Sequence, residues 1–221
     1  MQVYAAAAIE NTAQEQKMIH EIRTYDLKPR GVPEFLAKTG AMVEGRTKYT
    51  PIGGFFYTEV GPLNQVVHIW PYNDMNHRSE TRAKVVEDGV WPPDNANVIL
   101  NMQSDIYYPA PFMRPLGPLK VGPLFELRIY KYGQGDIPKV VNAWSDAIEA
   151  REKLSPLVGA WYTDVGSLNR WAHLWAYESF EHRMAVRSEG QAKGVWPPKS
   201  GVSPLAQESK LMWAADFSPI Q

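Results

Sequence analysis

Two short runs in this chain carry the side chains that could do chemistry. Glu21, Arg23 and Tyr25 alternate along one predicted strand, and His68, Trp70 and Tyr72 alternate along another. Residues two apart on a strand point the same way, so each trio shares a face. Together they supply a histidine base or acid, a guanidinium that clamps anions, a hydroxyl donor and an aromatic wall, a set suited to a small polar-aromatic molecule. Both trios recur 105 residues later, as Glu126, Arg128 and Tyr130 and as His173, Trp175 and Tyr177. His68 and His173 are thus the candidate catalytic residues. Glu21, Arg23, Tyr25, Trp70, Glu126, Arg128, Tyr130 and Trp175 are the candidate substrate contacts. The same residue types would also serve a purely structural layer, in which buried Glu and Arg pair and His and Tyr complete the hydrogen bonding.

Other chemistries find less support. His68, His173 and a carboxylate could form a two-histidine metal set, or one histidine could face a haem, but the histidines come from different repeats and no His-Glu-x-x-His spacing occurs. No metal and no cofactor is therefore expected. Gly133-x-Gly135 lacks the rest of a dinucleotide fingerprint, and neither a Gly-x-Ser-x-Gly elbow nor a Walker loop is present. Arg78 and Arg82, echoed by Arg183 and Arg187, lie one helical turn apart and read either as an anion clamp or as a solvated face. His77 and His182 beside them read as surface residues. Trp91 and Trp196, each in a Val-Trp-Pro-Pro run, could plug a barrel end, bury against helices or cover a pocket mouth.

The elements that must position these residues follow from a duplicated unit. Gly89 to Pro93 matches Gly194 to Pro198 at the same offset, so the chain is one module of roughly a hundred residues used twice, as in a fused dimer. Each module reads strand, helix, strand, strand, helix, strand. Ile19–Leu27 alternates as a strand, and a helix begins near Pro33, with Asp136 ahead of Pro138 as the cap in the second copy. Two β-rich runs, 55–60 and 66–72, flank the turn Gly61-Pro-Leu-Asn64, repeated as Gly166-Ser-Leu-Asn169. A helix over 75–87, capped by Asp74 or Ser179, precedes a last strand near 104–108. This βαββαβ order predicts an α+β, ferredoxin-like module with an antiparallel sheet and both helices on one face. Residues 18–113 form the first module and 124–221 the second. The linker 114–123 continues a Pro/Gly-rich stretch, and residues 1–17 form an appendage, disordered or foreign to the module.

Parity then suggests where the chemistry sits. Val67 and Ile69, matched by Ala172 and Leu174, look suited to lying under helices, which sends the His, Trp, Glu, Arg and Tyr set to the opposite face. If the sheets stack through those faces, both sets meet in one central chamber.

The motifs His20-Glu-Ile-Arg-Thr-Tyr25, Gly61-Pro-Leu-Asn-Gln-Val-Val-His-Ile-Trp70 and the Arg78–Arg82 helix resemble the NIPSNAP family of the dimeric α/β-barrel superfamily, in both modules. The second copy departs at Ser167, Arg170 and Trp171, where the first has Pro62, Gln65 and Val66. The resemblance implies that the two sheets pack face to face as an intrachain barrel with helices outside. It leaves the reaction open, since the superfamily spans cofactor-free oxygenases, haem proteins, dehydratases and isomerases.

Composition bounds the partners. The chain has 221 residues, a net charge of -1 and no cysteine. No basic stripe suits it to nucleic acid, and no apolar run is long enough for a membrane span. A small-molecule ligand and a cytoplasmic setting are expected, and a homodimer or other homo-oligomer is allowed alongside a monomer. Three readings follow: an oxygenase-, isomerase- or lyase-type enzyme without bound cofactor, using a His base and an Arg anion stabiliser; a non-catalytic binder with the same chamber; or, as the resemblance encourages, a protein-interaction module with a filled interior.

Overall fold

The computed structural model describes residues 18–221; the appendage expected over 1–17 lies outside the described residues. Eight antiparallel strands close into a barrel. They are β1 (Ile19–Leu27), β2 (Gly54–Val60), β3 (Gln65–Tyr72) and β4 (Ile99–Pro109) from the first module, and β5 (Leu124–Lys131), β6 (Leu157–Val165), β7 (Arg170–Tyr177) and β8 (Ala206–Ala214) from the second. Around the barrel the order is β1-β3-β2-β8-β5-β7-β6-β4, so each module is a four-stranded sheet and the seams β2–β8 and β4–β6 join them. Closure pairs both edges of each sheet and leaves no open strand edge among the described residues. Four helices lie outside: α1 (Gly31–Thr47), α2 (Met75–Glu87), α3 (Ile137–Glu152) and α4 (Phe180–Ala192).

Local chemistry explains most boundaries. Asp74 and Ser179 cap α2 and α4 by accepting from the backbone N–H of His77 (2.8 Å) and His182 (3.1 Å). The histidines reciprocate: Nδ1 of each accepts the backbone N–H of Asn73 or Glu178, the residue before the cap, so each ring ties the incoming chain to the first turn. Asp136 caps differently from expectation. Its carboxylate makes no bond to a helix N–H and instead accepts from Lys139 Nζ at 3.0 Å. Strand β4 starts five residues before the expected 104, because Leu100 and Met102 are exposed and so lack the alternating burial signal.

The parity expectation is reversed. Ile22, Val67, Ile69, Leu127, Ala172 and Leu174 line the lumen, where they pack with Phe56, Phe125, Trp161 and Met212. The opposite parity, with Trp70, Tyr72, Trp175 and Tyr177, packs against Phe35 and Val43 of α1 or Val140, Trp144 and Ile148 of α3. The physical reason is depth. The interior of an eight-stranded barrel is just wide enough for side chains to fill it, so it is packed with apolar groups from Ala172 to Trp161, while the space between sheet and helices takes the charged and hydrogen-bonding groups. No central polar chamber forms; its place is taken by an apolar core.

The two ends of the lumen differ. At one end Asp26, Gln65, Asp105, Arg170, Glu208 and Lys210 surround a small cavity of about 120 Å³. Asp105 reaches across the β4–β6 seam to the Arg170 guanidinium (3.3 Å) and the Ser167 N–H (3.4 Å). At the other end the stretch after β4 and the C-terminus fold over the strands. Leu116, Val121 and Ile220 pack on the core, and Leu119 pairs with Ile220.

If the lumen is the true core, shortening one of its residues should be costly. Leu127→Ala is expected to lose about 2–5 kcal/mol of unfolding free energy, measured as a lower urea midpoint.

Candidate functional site

Each module carries its own site between sheet and helices. In the first, Glu21 is fully buried, and its carboxylate receives Arg23 Nη1 (2.6 Å), Arg78 Nη2 (2.6 Å) and the Ser104 hydroxyl (2.6 Å), with Arg82 at 3.7 Å. Burial alone would raise the pKa of Glu21. The Arg78 hydrogen bond, the Arg23 charge, the Ser104 hydroxyl and Arg82 outweigh it and bring the carboxyl down to about 2. Arg23 also donates through Nε to Tyr25 Oη at 2.6 Å. Glu126 repeats the pattern with Arg128 (2.9 Å), Arg183 (2.6 Å) and Ser209 (2.8 Å), and its carboxyl likewise falls to about 2 against the effect of burial.

A second tier lies beside this cluster. Trp70 donates its indole N–H to His68 Nδ1 at 2.6 Å, and Trp175 does the same to His173 at 2.8 Å. With Nδ1 accepting, the ring proton must be on Nε2, and in both histidines Nε2 is buried with no partner among the described residues. Desolvation lowers His68 to about 3, helped by the charges of Arg23, Arg82 and Arg46; His173 is pushed well below its ordinary value by burial and by Arg128. Both are therefore neutral N–H donors at pH 7. A base role, as expected from the sequence, would first require breaking the bond from tryptophan.

Sequence reasoning missed Arg46 and Arg151. Each guanidinium lies over an indole, Arg46 at 4.3 Å from the Trp70 ring centroid and Arg151 at 4.1 Å from that of Trp175, and each bonds the tyrosine that ends the same strand. Their signal was present, since they too lie 105 residues apart, on the buried face of α1 and of α3. Trp91 and Trp196 bury against these layers rather than plugging the barrel. Trp91 meets Trp70 at 5.8 Å, and Trp196 meets Trp144 at 4.5 Å.

The two layers hold histidine by different means. His68 stacks on Phe55 of β2, with ring centroids 4.9 Å apart and planes 12° apart. In the second module that strand position is Ala160, and the aromatic comes from α3 instead: Trp144 lies 4.7 Å from His173, where α1 has Thr39. A large-to-small exchange on the strand is matched by a small-to-large one on the helix, which keeps the layer filled.

The sites are thus two. Glu21, Arg23, Tyr25, His68 and Trp70 come together in one, and Glu126, Arg128, Tyr130, His173 and Trp175 in the other, in separate layers outside the barrel. The metal set that needed His68 beside His173 is not assembled. No group of three or more His, Asp or Glu among the described residues is placed to hold a metal ion.

The repeated geometry can be set beside known proteins. The NIPSNAP family profile matches residues 20–114 and 125–219, one match per module. The chain belongs to the NIPSNAP family. Among curated relatives, human "Protein NipSnap homolog 3A" is 31% identical over 214 residues, covering 92% of this chain and 86% of that protein. Mouse "Protein NipSnap homolog 3B" is 32% identical over 218 residues, covering 94% and 88%. Of the solved structures, a putative monooxygenase from Lactobacillus acidophilus NCFM covers 90% of this NIPSNAP chain and 94% of its own, with TM-score 0.62 and 11% identity, which is a likeness of fold. No helix among the described residues of this NIPSNAP protein is long and apolar enough to cross a membrane.

The neutral histidines make a pH prediction. Unfolded histidine takes up a proton near pH 6.5 whereas folded His68 does so near 3, so the unfolded state binds more protons between these values and stability must fall as pH drops. Glu21 and Glu126 add to the loss only below about 4.5. The urea midpoint should decline from pH 6.5 to 4.5, and the pair His68→Gln and His173→Gln should flatten most of that slope.

Proposed function

We propose that each sheet–helix layer of this NIPSNAP protein binds a small, conjugated, anionic molecule, with the arginine cluster receiving its charge and the neutral histidine donating to a carbonyl or enolate oxygen. The observation that carries this reading is the charge imbalance. Arg23, Arg46, Arg78 and Arg82 gather around the single carboxylate of Glu21; in the second module Arg128 and Arg183 pair with Glu126, and Arg151 and Arg187 lie near one another beside His173. A purely structural ion-pair layer needs one cation per carboxylate; an excess of guanidinium at a partly exposed site is the composition of an anion clamp. Arg82 and Arg78 reach solvent while Arg23 is largely covered, so the cluster grades from open to closed toward His68.

Catalysis of oxygenase, isomerase or lyase type without a bound metal is the finer form of the proposal. In it, the substrate's developing oxyanion is held by the His68 or His173 Nε2–H, a donor already desolvated and oriented by tryptophan. A putative monooxygenase sharing the fold is compatible with such chemistry but does not assign it. A cytoplasmic setting belongs to the same proposal and rests on the cysteine-free composition.

A panel of aromatic and conjugated carboxylates, screened by thermal shift, tests the reading. Binding to the native state should raise Tm with ligand concentration. Arg82→Ala with Arg187→Ala should weaken that response about tenfold or more while leaving the Tm of the free protein within a few degrees, since both side chains are peripheral to the carboxylates. A panel that shifts the double variant as much as the parent sinks the anion clamp.

A further inference from the structure

The two seams that close the barrel occupy equivalent places in the duplicated unit, yet their ends are built differently. Beside β2 and β8, Phe125 is fully buried against Phe56, with ring centroids 4.9 Å apart. The C-terminal residues are drawn over them: Ser218 Oγ accepts the Phe55 backbone N–H at 3.1 Å, and Ile220 is buried. Beside β4 and β6 the matching residues are His20 and Trp161. Here the indole N–H of Trp161 donates to His20 Nδ1 at 2.8 Å, and a cavity of about 520 Å³ opens next to the pair. Its walls include Met18, His20, Tyr108, Met113, Arg114 and Tyr162.

Phenylalanine at 125 shows that this fold fills the position without a polar group. At 20 it instead buries an imidazole to 1% exposure, with Nε2 unpartnered among the described residues. Leaving a buried donor unsatisfied is unfavourable, so the histidine is better accounted for by something it binds. The bond from Trp161 fixes the proton on Nε2, and burial lowers His20 to about 4, so the ring is a neutral donor at pH 7. The remaining walls are flat and apolar. Tyr108 and Tyr162 form a cross-strand ring pair 5.7 Å apart, and the unbranched thioethers of Met18 and Met113 can adjust to an occupant. At the rim, Arg114 donates to Glu152 (2.7 Å) and to the Leu157 carbonyl (3.0 Å), and it remains well exposed.

We propose that this cavity is a second small-molecule site, present once per chain and distinct from the two sheet–helix layers, which takes a flat, mostly apolar molecule bearing a carboxylate or carbonyl oxygen for His20. Its volume is that of an ordinary ligand pocket, and its polar groups are few and placed at one side and the rim.

2-Acetylnaphthalene, a flat neutral ketone without the charge that the arginine layers receive, titrated into the full chain labelled with 15N-histidine, tests this directly. Saturable one-to-one binding is expected, with a downfield move of the His20 Nε2–H signal, identified by its loss in His20→Phe. His20→Phe, which installs the residue already used at 125, should weaken binding about tenfold or more, and the surface variant Arg114→Ala should weaken it several-fold without affecting folding. Arg82→Ala with Arg187→Ala should leave it unchanged, so this site and the arginine layers succeed or fail separately. The proposal is overturned if no saturable binding occurs, or if His20→Phe and Arg114→Ala both bind like the parent. It is equally overturned if the arginine pair abolishes binding, or if binding emerges only after residues 1–17 are removed, which would make the chain's own leading segment the occupant.

Discussion

The narrow bore of a closed eight-stranded barrel governs where everything else in this protein can go. Once β2 meets β8 and β4 meets β6, the inward face of every strand is committed to residues that fill a lumen of fixed width, and Val67, Ile69, Ala172 and Leu174 meet that demand. The strands alternate, so this choice delivers Glu21, Arg23, His68 and Trp70 to the other side, under α1 and α2. The barrel is therefore a scaffold that carries these charged and hydrogen-bonding side chains on its outer face, covered by helices. A single large apolar core holds two polar layers in place without sharing a ligand space with them.

Within each layer the order of interactions runs from charge to hydrogen bond to packing. A buried carboxylate is tolerable because several guanidinium groups approach it, and those groups in turn stay together only because the carboxylate is there. Tryptophan sets the histidine tautomer, and arginine stacked on the same indole holds the tryptophan. Neither histidine gains by protonation in such surroundings, which already hold an excess of positive charge.

Much of this was legible in the residues. The repeat fixed two modules, the alternating strands and the Gly61 and Gly166 turns gave the βαββαβ order, and strand parity grouped the correct side chains into one set per module. Which face that set occupied was not legible, because alternation shows that two faces differ and leaves open which one meets the helices. Small aliphatics suit either a helix-covered face or a narrow lumen, and only closure decides between them. Arg46 and Arg151 escaped notice for a related reason: on helices of weak amphipathic pattern an arginine looks solvated until its aromatic partner is in place. The pairing of Asp105 with Arg170 joins residues of β4 and β7, which are separated by β6 and lie on opposite sides of a module seam, and no local pattern encodes it.

That seam contact has a wider meaning. At the polar end of the lumen the first half supplies Asp26, Gln65 and Asp105, and the second half supplies Arg170, Lys210 and Glu208. Two first halves brought together would set Asp26 and Asp105 against their own copies around one opening, with no Arg170 to answer them. The halves of one chain are thereby complementary at this opening: an aspartate of the first meets an arginine of the second, a contact that two copies of the first half would lack.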